Sequence, residues 1–371
     1  MTVENGLIDV NELERIEVLG IPFGYKITKN EDGNTNIVIL PSPDEAEDFN
    51  AGTKHASYET LMLIRSKYFF GINNRTQMFG VLYNTFVEHY KKEQKNVNDL
   101  LTLQALYSDM IIRLGMILED FAGICYACKE YQQHHSDIAQ VFLAYSDPMS
   151  FYNSIKEKKG KRTIKQIFGF PQSKGELNKI FKDLSEEEMD LLMRAIESSA
   201  TLIHDRFCYI SNLIVRKEKE NVTYYDMYNK HKHGFSPYYP YIAPMPLKKT
   251  IEGTLNEDSI EKLIYQDFFE NLTIMHDKLP GQRTPEEQKL YKDERLATPT
   301  FVDEEINLNK VEEMNSIVAI IHFIYRYLMQ TYLRRFEENI YMSFLMSDDY
   351  LSVEERRILD LLINDESRYN V

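Results

Sequence analysis

Two residues in the stretch "TYYDMYNKHKHG", Asn229 and His233, have types and a spacing that could do chemistry. They stand four residues apart and would therefore share one face of a helix. An imidazole titrates near neutral pH, so a histidine is the side chain best suited to move a proton or to change charge. Tyrosines, Lys230 and Lys232 surround the pair. This stretch is the first candidate for a functional site.

A structural explanation accounts for part of the same stretch. Gly234 accepts the left-handed conformation that ends many helices. Lysine and histidine side chains are also favoured at the negative end of a helix dipole. A helix end explains the charges, but it explains less well why Asn229 and His233 stand together among tyrosines.

Two adjacent carboxylates, Glu119 and Asp120, lie within the apolar stretch "MILEDFAG". Neighbouring residues on a helix point about 100° apart, so at most one of the two faces the core. A buried carboxylate needs a partner, and Arg113, His204 or His233 could supply it. The pair either joins two helices by a salt bridge or orients a functional histidine.

Three other clusters have simpler structural explanations. Cys125 and Cys128 have the spacing of half a zinc site, but the sequence has no second pair of ligands. We therefore expect both cysteines to be buried as small side chains that face a neighbouring helix. The polar triple 204–206 lies in an apolar helix, with its members pointing in different directions. The basic run 156–162 is typical of a solvated loop, with phosphate binding as the alternative. No nucleotide-loop, zinc-protease or serine-hydrolase motif is present, and we expect neither a cofactor nor a metal.

The elements that must position these residues are mainly helical. Residues 15–41 predict a small β hairpin around "NEDGN", and residues 41–52 a linker. Helical periodicity then predicts long helices that pair as an antiparallel hairpin, the first with a break at "GINN" and the second beginning at Asn96 or Asn98. A short helix and a loop are expected over residues 146–176, and a proline-rich extended segment over 235–247. Further helices are predicted at about 186–220, 256–279, 283–296, 309–346 and 352–365.

The composition fits a soluble globular protein. The chain has 371 residues, 43% of them hydrophobic and 27% charged. A net charge of −15 argues against broad, non-specific binding to nucleic acid or anionic membranes, so any RNA site would be a local basic pocket. Three cysteines, no signal-peptide core and no membrane-length apolar stretch indicate a cytoplasmic protein.

The stretch "YNKHKHG", residues 228–234, resembles the motif of HEPN domains (higher eukaryote and prokaryote nucleotide-binding). That motif is an arginine, a polar residue that is often asparagine, three variable residues and a histidine. Asn229 matches the polar residue and His233 the histidine, while Tyr228 stands at the arginine position. The helix "ILEDFAGICYAC" resembles the family helix that faces the motif, which makes Glu119 or Asp120 its acidic partner.

This resemblance implies a helical bundle that binds or acts on RNA or nucleotides. Many family members are metal-independent ribonucleases in toxin–antitoxin or antiphage systems, and their site commonly forms across a homodimer. His233 would then be the acid–base or ligand-contacting residue and Asn229 would orient it. The nucleotide- or phosphate-binding residues would be Tyr228, Lys230, His231 and Lys232.

Two hypotheses follow for the whole chain. In the first, residues 1–50 are an N-terminal segment and residues 51–371 one helical body, with a HEPN-like part at about 57–235 and a C-terminal extension at about 236–371 on the same core. In the second, the chain is a non-catalytic helical scaffold or regulatory protein with a protein partner. The missing arginine and the strong acidity favour the second hypothesis.

Overall fold

The structure, a computed structural model, is mainly α, which confirms the predicted fold class. It describes residues 12–29, 33–41, 43, 46–69, 73–157, 159–215, 222–232, 257–278, 281–345 and 350–370. His233 and the proline-rich segment 235–247 lie outside these ranges.

A three-stranded antiparallel sheet opens the described chain. Strands β1 (Glu14–Val18), β2 (Ile21–Lys29) and β3 (Thr35–Pro41) pair in the order β1-β2-β3. The predicted hairpin is the β2–β3 pair, but β1 was missed. The turn at Leu19 and Gly20, both at positive φ, folds β1 back onto β2, so the apolar run before "NEDGN" forms two strands.

The predicted linker after this sheet is partly wrong. Residues 46–52 form a short helix, because Phe49 buries its ring and gives the turn a hydrophobic anchor.

The basic region 146–176 also holds more helix than expected. The helices are α1 (Ala46–Gly52), α2 (Tyr58–Phe69), α3 (Asn73–Tyr90), α4 (Val97–His134), α5 (Ile138–Ala144), α6 (Pro148–Lys156), α7 (Gly160–Phe168), α8 (Lys174–Ile180), α9 (Glu186–Ile214), α10 (Tyr224–Lys232), α11 (Glu257–Tyr265), α12 (Pro285–Asp293), α13 (Leu308–Glu337) and α14 (Val353–Ile363).

Helices α3 and α4 form the predicted antiparallel hairpin. Asn96 caps α4 in a capping box with Asp99. Near this end, the Nδ1 atom of His89 lies 3.0 Å from an Asp99 oxygen. At the far end, Arg75 donates a hydrogen bond of 2.7 Å to the Met116 carbonyl. The predicted break at "GINN" falls where α2 ends and α3 begins.

Helix α4 lies at the centre of the helical body. It packs against α3, α5, α6, α7, α10 and α13, and its middle is buried on almost every side. The long apolar helix α13 joins the same hydrophobic core. The buried Tyr332 hydroxyl donates to the carbonyls of Cys128 and Ile167, and so ties α13 to α4 and α7.

The predicted helix over residues 256–279 is wrong in its second half. Helix α11 leads into a π-helical turn at Gln266–Glu270, and strand β4 (Asn271–Asp277) follows. Strand β4 pairs antiparallel with β5 (Pro299–Glu305). The partner strand lies beyond α12 in the sequence, so local periodicity could not reveal the pairing.

Within the described residues, no helix has the length and apolar character needed to cross a membrane.

Candidate functional site

Helix α10, which carries most of the candidate motif, lies against α4. Tyr228 and His231 face α4 and are buried, Asn229 is half-buried, and Lys232 is exposed. Helix α10 is described as far as Lys232, so the position of His233 stays a prediction. The motif helix therefore presents its lysine end, rather than its tyrosine face, to the surface.

Gly115 allows α10 to approach α4 closely. A Cβ atom at this position would lie 2.0 Å from Cγ of Tyr228 and 2.3–2.4 Å from the neighbouring ring carbons. No such contact is tolerated, so the tyrosine ring occupies the space that any other residue at position 115 would need. The glycine on α4 and the tyrosine on α10 form one packed unit.

Glu119 is the residue of α4 that holds the motif helix. Its carboxylate accepts hydrogen bonds from the hydroxyls of Tyr225 at 3.2 Å and Tyr228 at 2.9 Å, and from Nζ of Lys232 at 3.0 Å. The Lys232 ammonium also lies 5.1 Å from the centre of the Tyr228 ring, a cation–π contact. Burial and the Glu119 carboxylate hold the pKa of both tyrosines well above its usual range, so both hydroxyls remain protonated donors.

Asp120 faces a different set of helices. Its buried carboxylate accepts two hydrogen bonds from Nζ of Lys67, at 2.7 and 2.8 Å, and lies 3.8 Å from Nη1 of Arg75. The partners suggested from sequence, Arg113 and His204, are not the ones it has. The turn of the helix points Asp120 towards α2 and α3, while Glu119 points towards α10.

Arg75 is a site residue that sequence reasoning missed. Its guanidinium lies close enough to Tyr228 to oppose the upward shift of the tyrosine pKa. The side chain remains 38% exposed beside the Asp120 carboxylate. Tyr228 stands at the arginine position of the motif that this stretch resembles, and the charge of Arg75, on α3, acts on it. No spacing rule could have found it, because α3 and α10 are far apart in sequence.

The two adjacent carboxylates thus organise three cations from three helices. Lys67 is the most buried of these cations, while Arg75 and Lys232 keep more than a third of their side-chain surface in contact with solvent. An incoming phosphate could take hydrogen bonds from the exposed pair while the carboxylates keep them in place. The arrangement suits anion binding at a local patch of an acidic protein.

The remaining sequence candidates do not join this cluster. Cys125 and Cys128 are completely buried. Burial raises the pKa of the Cys128 thiol to about 12 and that of Cys125 well above its usual range, which keeps both as inert thiols. His204 instead approaches Cys208, with 3.5 Å between Nε2 and Sγ. Among the described residues, no group of three or more His, Cys, Asp or Glu side chains is placed to hold a metal ion.

His231 predicts a measurable dependence of stability on pH. The residue is 5% exposed, and its Nδ1 atom lies 3.3 Å from Oγ of Ser108. Burial lowers the pKa of His231, with Asp109 opposing the shift. The unfolded state therefore takes up the proton first as the pH falls, so stability is greatest above about pH 6.5 and declines below it. We expect the His231→Gln variant to show a smaller fall in the free energy of unfolding between about pH 7.5 and 5.5, measured by urea denaturation.

A second histidine, half-buried on α13, provides the comparison for that measurement. Burial and Arg326 lower the pKa of His322 on α13. His322→Gln should therefore remove its own share of the pH dependence, and the double variant should combine both effects. An unchanged pH dependence in His231→Gln would show that the His231 ring is solvated.

Comparison of the chain with protein-family models, with curated proteins and with solved structures gave no match. The function has to be inferred from the residues of the site.

Proposed function

We propose that this chain is a HEPN-like helical protein that binds RNA or a nucleotide at the surface where α10 meets α4. The observation that carries the proposal is the Glu119 carboxylate, which binds Tyr225, Tyr228 and Lys232 of the motif helix together. The family resemblance pairs this motif with an acidic helix, and Glu119 lies on that helix. A defence or toxin–antitoxin setting, and a site completed by a second copy, belong to the same proposal.

The catalytic version of this function is RNA cleavage without a metal. His233 would move the proton of a ribose 2′-hydroxyl, and Asn229 would orient the imidazole. Arg75 and Lys232 would offset the charge that develops on the phosphate, which is the role of the family arginine. Loss of one such donor typically lowers the rate by about 10²–10³-fold. Because Tyr228 replaces the family arginine, cleavage would depend on Arg75 to supply the missing positive charge.

RNA binding by Lys232 tests the proposal. We expect the Lys232→Ala variant to bind a fluorescein-labelled oligouridylate several-fold more weakly at low salt. Its plot of log affinity against log salt should also be shallower, by about 0.7 for one lost phosphate contact on a single strand. Fluorescence anisotropy at several salt concentrations in EDTA gives both quantities, and gel analysis of the same samples detects cleavage.

Lys174→Ala is the matched control. Lys174 lies on α8, is similarly exposed and pairs with carboxylates, as Lys232 does. Equal losses of affinity in the two variants, or no binding by the unaltered chain at low salt, would contradict the proposal. Cleavage that disappears in His233→Ala would establish the catalytic version, whereas bound but intact RNA would leave binding alone.

A non-catalytic scaffold is the second candidate function. The burial of Tyr228 and His231 favours it, because two motif residues serve helix packing and are turned away from solvent. Under this hypothesis, substitutions on α10 change the free energy of unfolding without changing any RNA affinity. The anisotropy experiment separates the two functions directly.

A further inference from the structure

A groove lies beside the Glu119 site, between the C-terminal half of α4 and helices α5 to α7. Its volume is about 570 Å³, within the range of small-molecule sites. Its lining combines aromatic rings, hydroxyl groups and a lysine. The residues that matter here are Tyr126, Lys129, Tyr145, Ser154 and Thr163.

Two tyrosines form a stack at the groove. The rings of Tyr126 and Tyr145 lie 4.8 Å apart between centres and 25° from parallel. Nζ of Lys129 lies 5.7 Å from the centre of the Tyr126 ring. Gly123 lets α5 and the residue after it come close to α4, since a Cβ there would lie 3.4 Å from the Tyr145 ring. The stack is thus held by the packing of two helices and keeps part of each ring in contact with solvent.

The densest basic run of the chain lies between two helices that line the same groove. Ser154 and Thr163 line the groove from α6 and α7, and the run 156–162 connects these two helices. Its described cations, Lys156, Lys159, Lys161 and Arg162, are exposed, and none forms an ion pair in the part of the chain that the structure describes.

Two acidic groups lie close to the stacked rings, and each is already engaged. Asp147, which also lines the groove, caps α6 through the backbone and hydroxyl of Ser150. Glu130 approaches Lys129 and His134. Glu157 is the exposed carboxylate within the run. Within the run 156–162 itself, the cations therefore outnumber the carboxylates.

The groove lies on the same face of α4 as Glu119. Glu119, Gly123 and Tyr126 occupy positions i, i+4 and i+7 of α4, which lie on one helix face over about 10 Å. Tyr145 also lies close enough to Tyr225 of α10 to contribute to the raised pKa of Tyr225. One ligand strand could therefore contact both places.

We propose that this groove binds a segment of single-stranded RNA, with a base stacked on the Tyr126–Tyr145 pair and phosphates on the basic run. Single-stranded nucleic acid is bound by this combination of a basic channel and stacking aromatic rings. Every base has a face that can extend the stack, so little sequence preference is expected. The inference deepens the proposed function, since it names the substrate class and the path by which the strand reaches α10.

Binding of a labelled oligouridylate of about 12 nucleotides tests the inference. Tyr126→Leu should weaken binding about tenfold, because base stacking is lost, whereas Tyr126→Phe should stay within about twofold of the unaltered chain. A Lys159→Glu and Lys161→Glu double variant should weaken binding and flatten its salt dependence. A duplex of the same length should bind more weakly than the single strand, since paired bases cannot enter the stack.

The controls separate this inference from the proposed function. Tyr350→Leu replaces an exposed tyrosine near α14 and should bind normally, and melting curves check that each variant is folded. If Lys232→Ala loses affinity while Tyr126→Leu and the double variant do not, the groove inference fails and the proposed function stands. If the groove variants alone lose affinity, the groove binds RNA and the α10 site does not. Equal affinity for duplex and single strand would overturn the stacking role.

Discussion

Replacement of Gly115 by alanine should push helix α10 away from α4 and lower the free energy of unfolding by about 1–3 kcal/mol. The new methyl group would lie 2.0–2.4 Å from three carbons of the Tyr228 ring. The ring has little freedom to move, because its hydroxyl is bound to Glu119 and its face packs near Tyr225. Alanine is a better helix former than glycine by about 1 kcal/mol, so the clash must overcome an opposing preference.

Gly80→Ala is the matched control for this variant. Gly80 also lies inside a long helix, α3, but a Cβ there would meet no atom within 4 Å. We therefore expect Gly80→Ala to be neutral or to stabilise the chain by up to about 1 kcal/mol. Urea denaturation measures both effects, and RNA affinity should fall only in Gly115→Ala. Equal stability of the two variants would show that α10 does not pack on α4 at Gly115.

Replacement of Asp120 by asparagine should cost about 3 kcal/mol of unfolding free energy. The change keeps the shape of the side chain and removes its charge, which leaves the Lys67 ammonium without its carboxylate in a mostly buried position. Removal of one partner of a buried pair costs more than the pair itself contributes, because the remaining charge has lost its hydration. Lys67 keeps 18% of its side-chain surface exposed, which places the cost at the lower end of the usual range.

An exposed carboxylate provides the comparison. Asp190 lies 2.7 Å from Lys174 at the surface, so Asp190→Asn should change stability little. In a double-mutant cycle, Lys67→Met should relieve much of the loss in Asp120→Asn, because no charge is then left unpaired. Additive losses in that cycle, or a similar small effect of Asp120→Asn and Asp190→Asn, would mean that Lys67 and Asp120 do not interact in the folded chain.

Features that depend on short stretches of sequence could be predicted well. The predicted starts of α9, α12 and α14 match the structure, which has capping boxes at Ser185, Thr284 and Ser352. A capping box places both of its partners within four residues, so its physics is contained in the local sequence. The burial of Cys125 and Cys128 follows in the same way from their position inside an apolar helix.

Features that depend on distant pairs could not be predicted. Strand β4 is strand rather than helix because β5 supplies its hydrogen-bond partners. The partners of Asp120 come from α2 and α3, and their side chains meet it only once the helices have packed. The charge of Arg75 acts on Tyr228 for the same reason. Sequence could thus indicate an acidic helix and a motif helix, while the cations that surround them had to be read from the structure.

Cross-linking of RNA to the chain tests the central claim most directly. The unaltered protein would be bound to a uridine-rich single strand, irradiated and digested, and the cross-linked peptides identified by mass spectrometry. The account predicts cross-links on peptides of α10, of α4 between Glu119 and Lys129, and of the groove around Tyr145. Cross-links confined to other helices such as α8, α12 or α14, or none at a saturating RNA concentration, would contradict it.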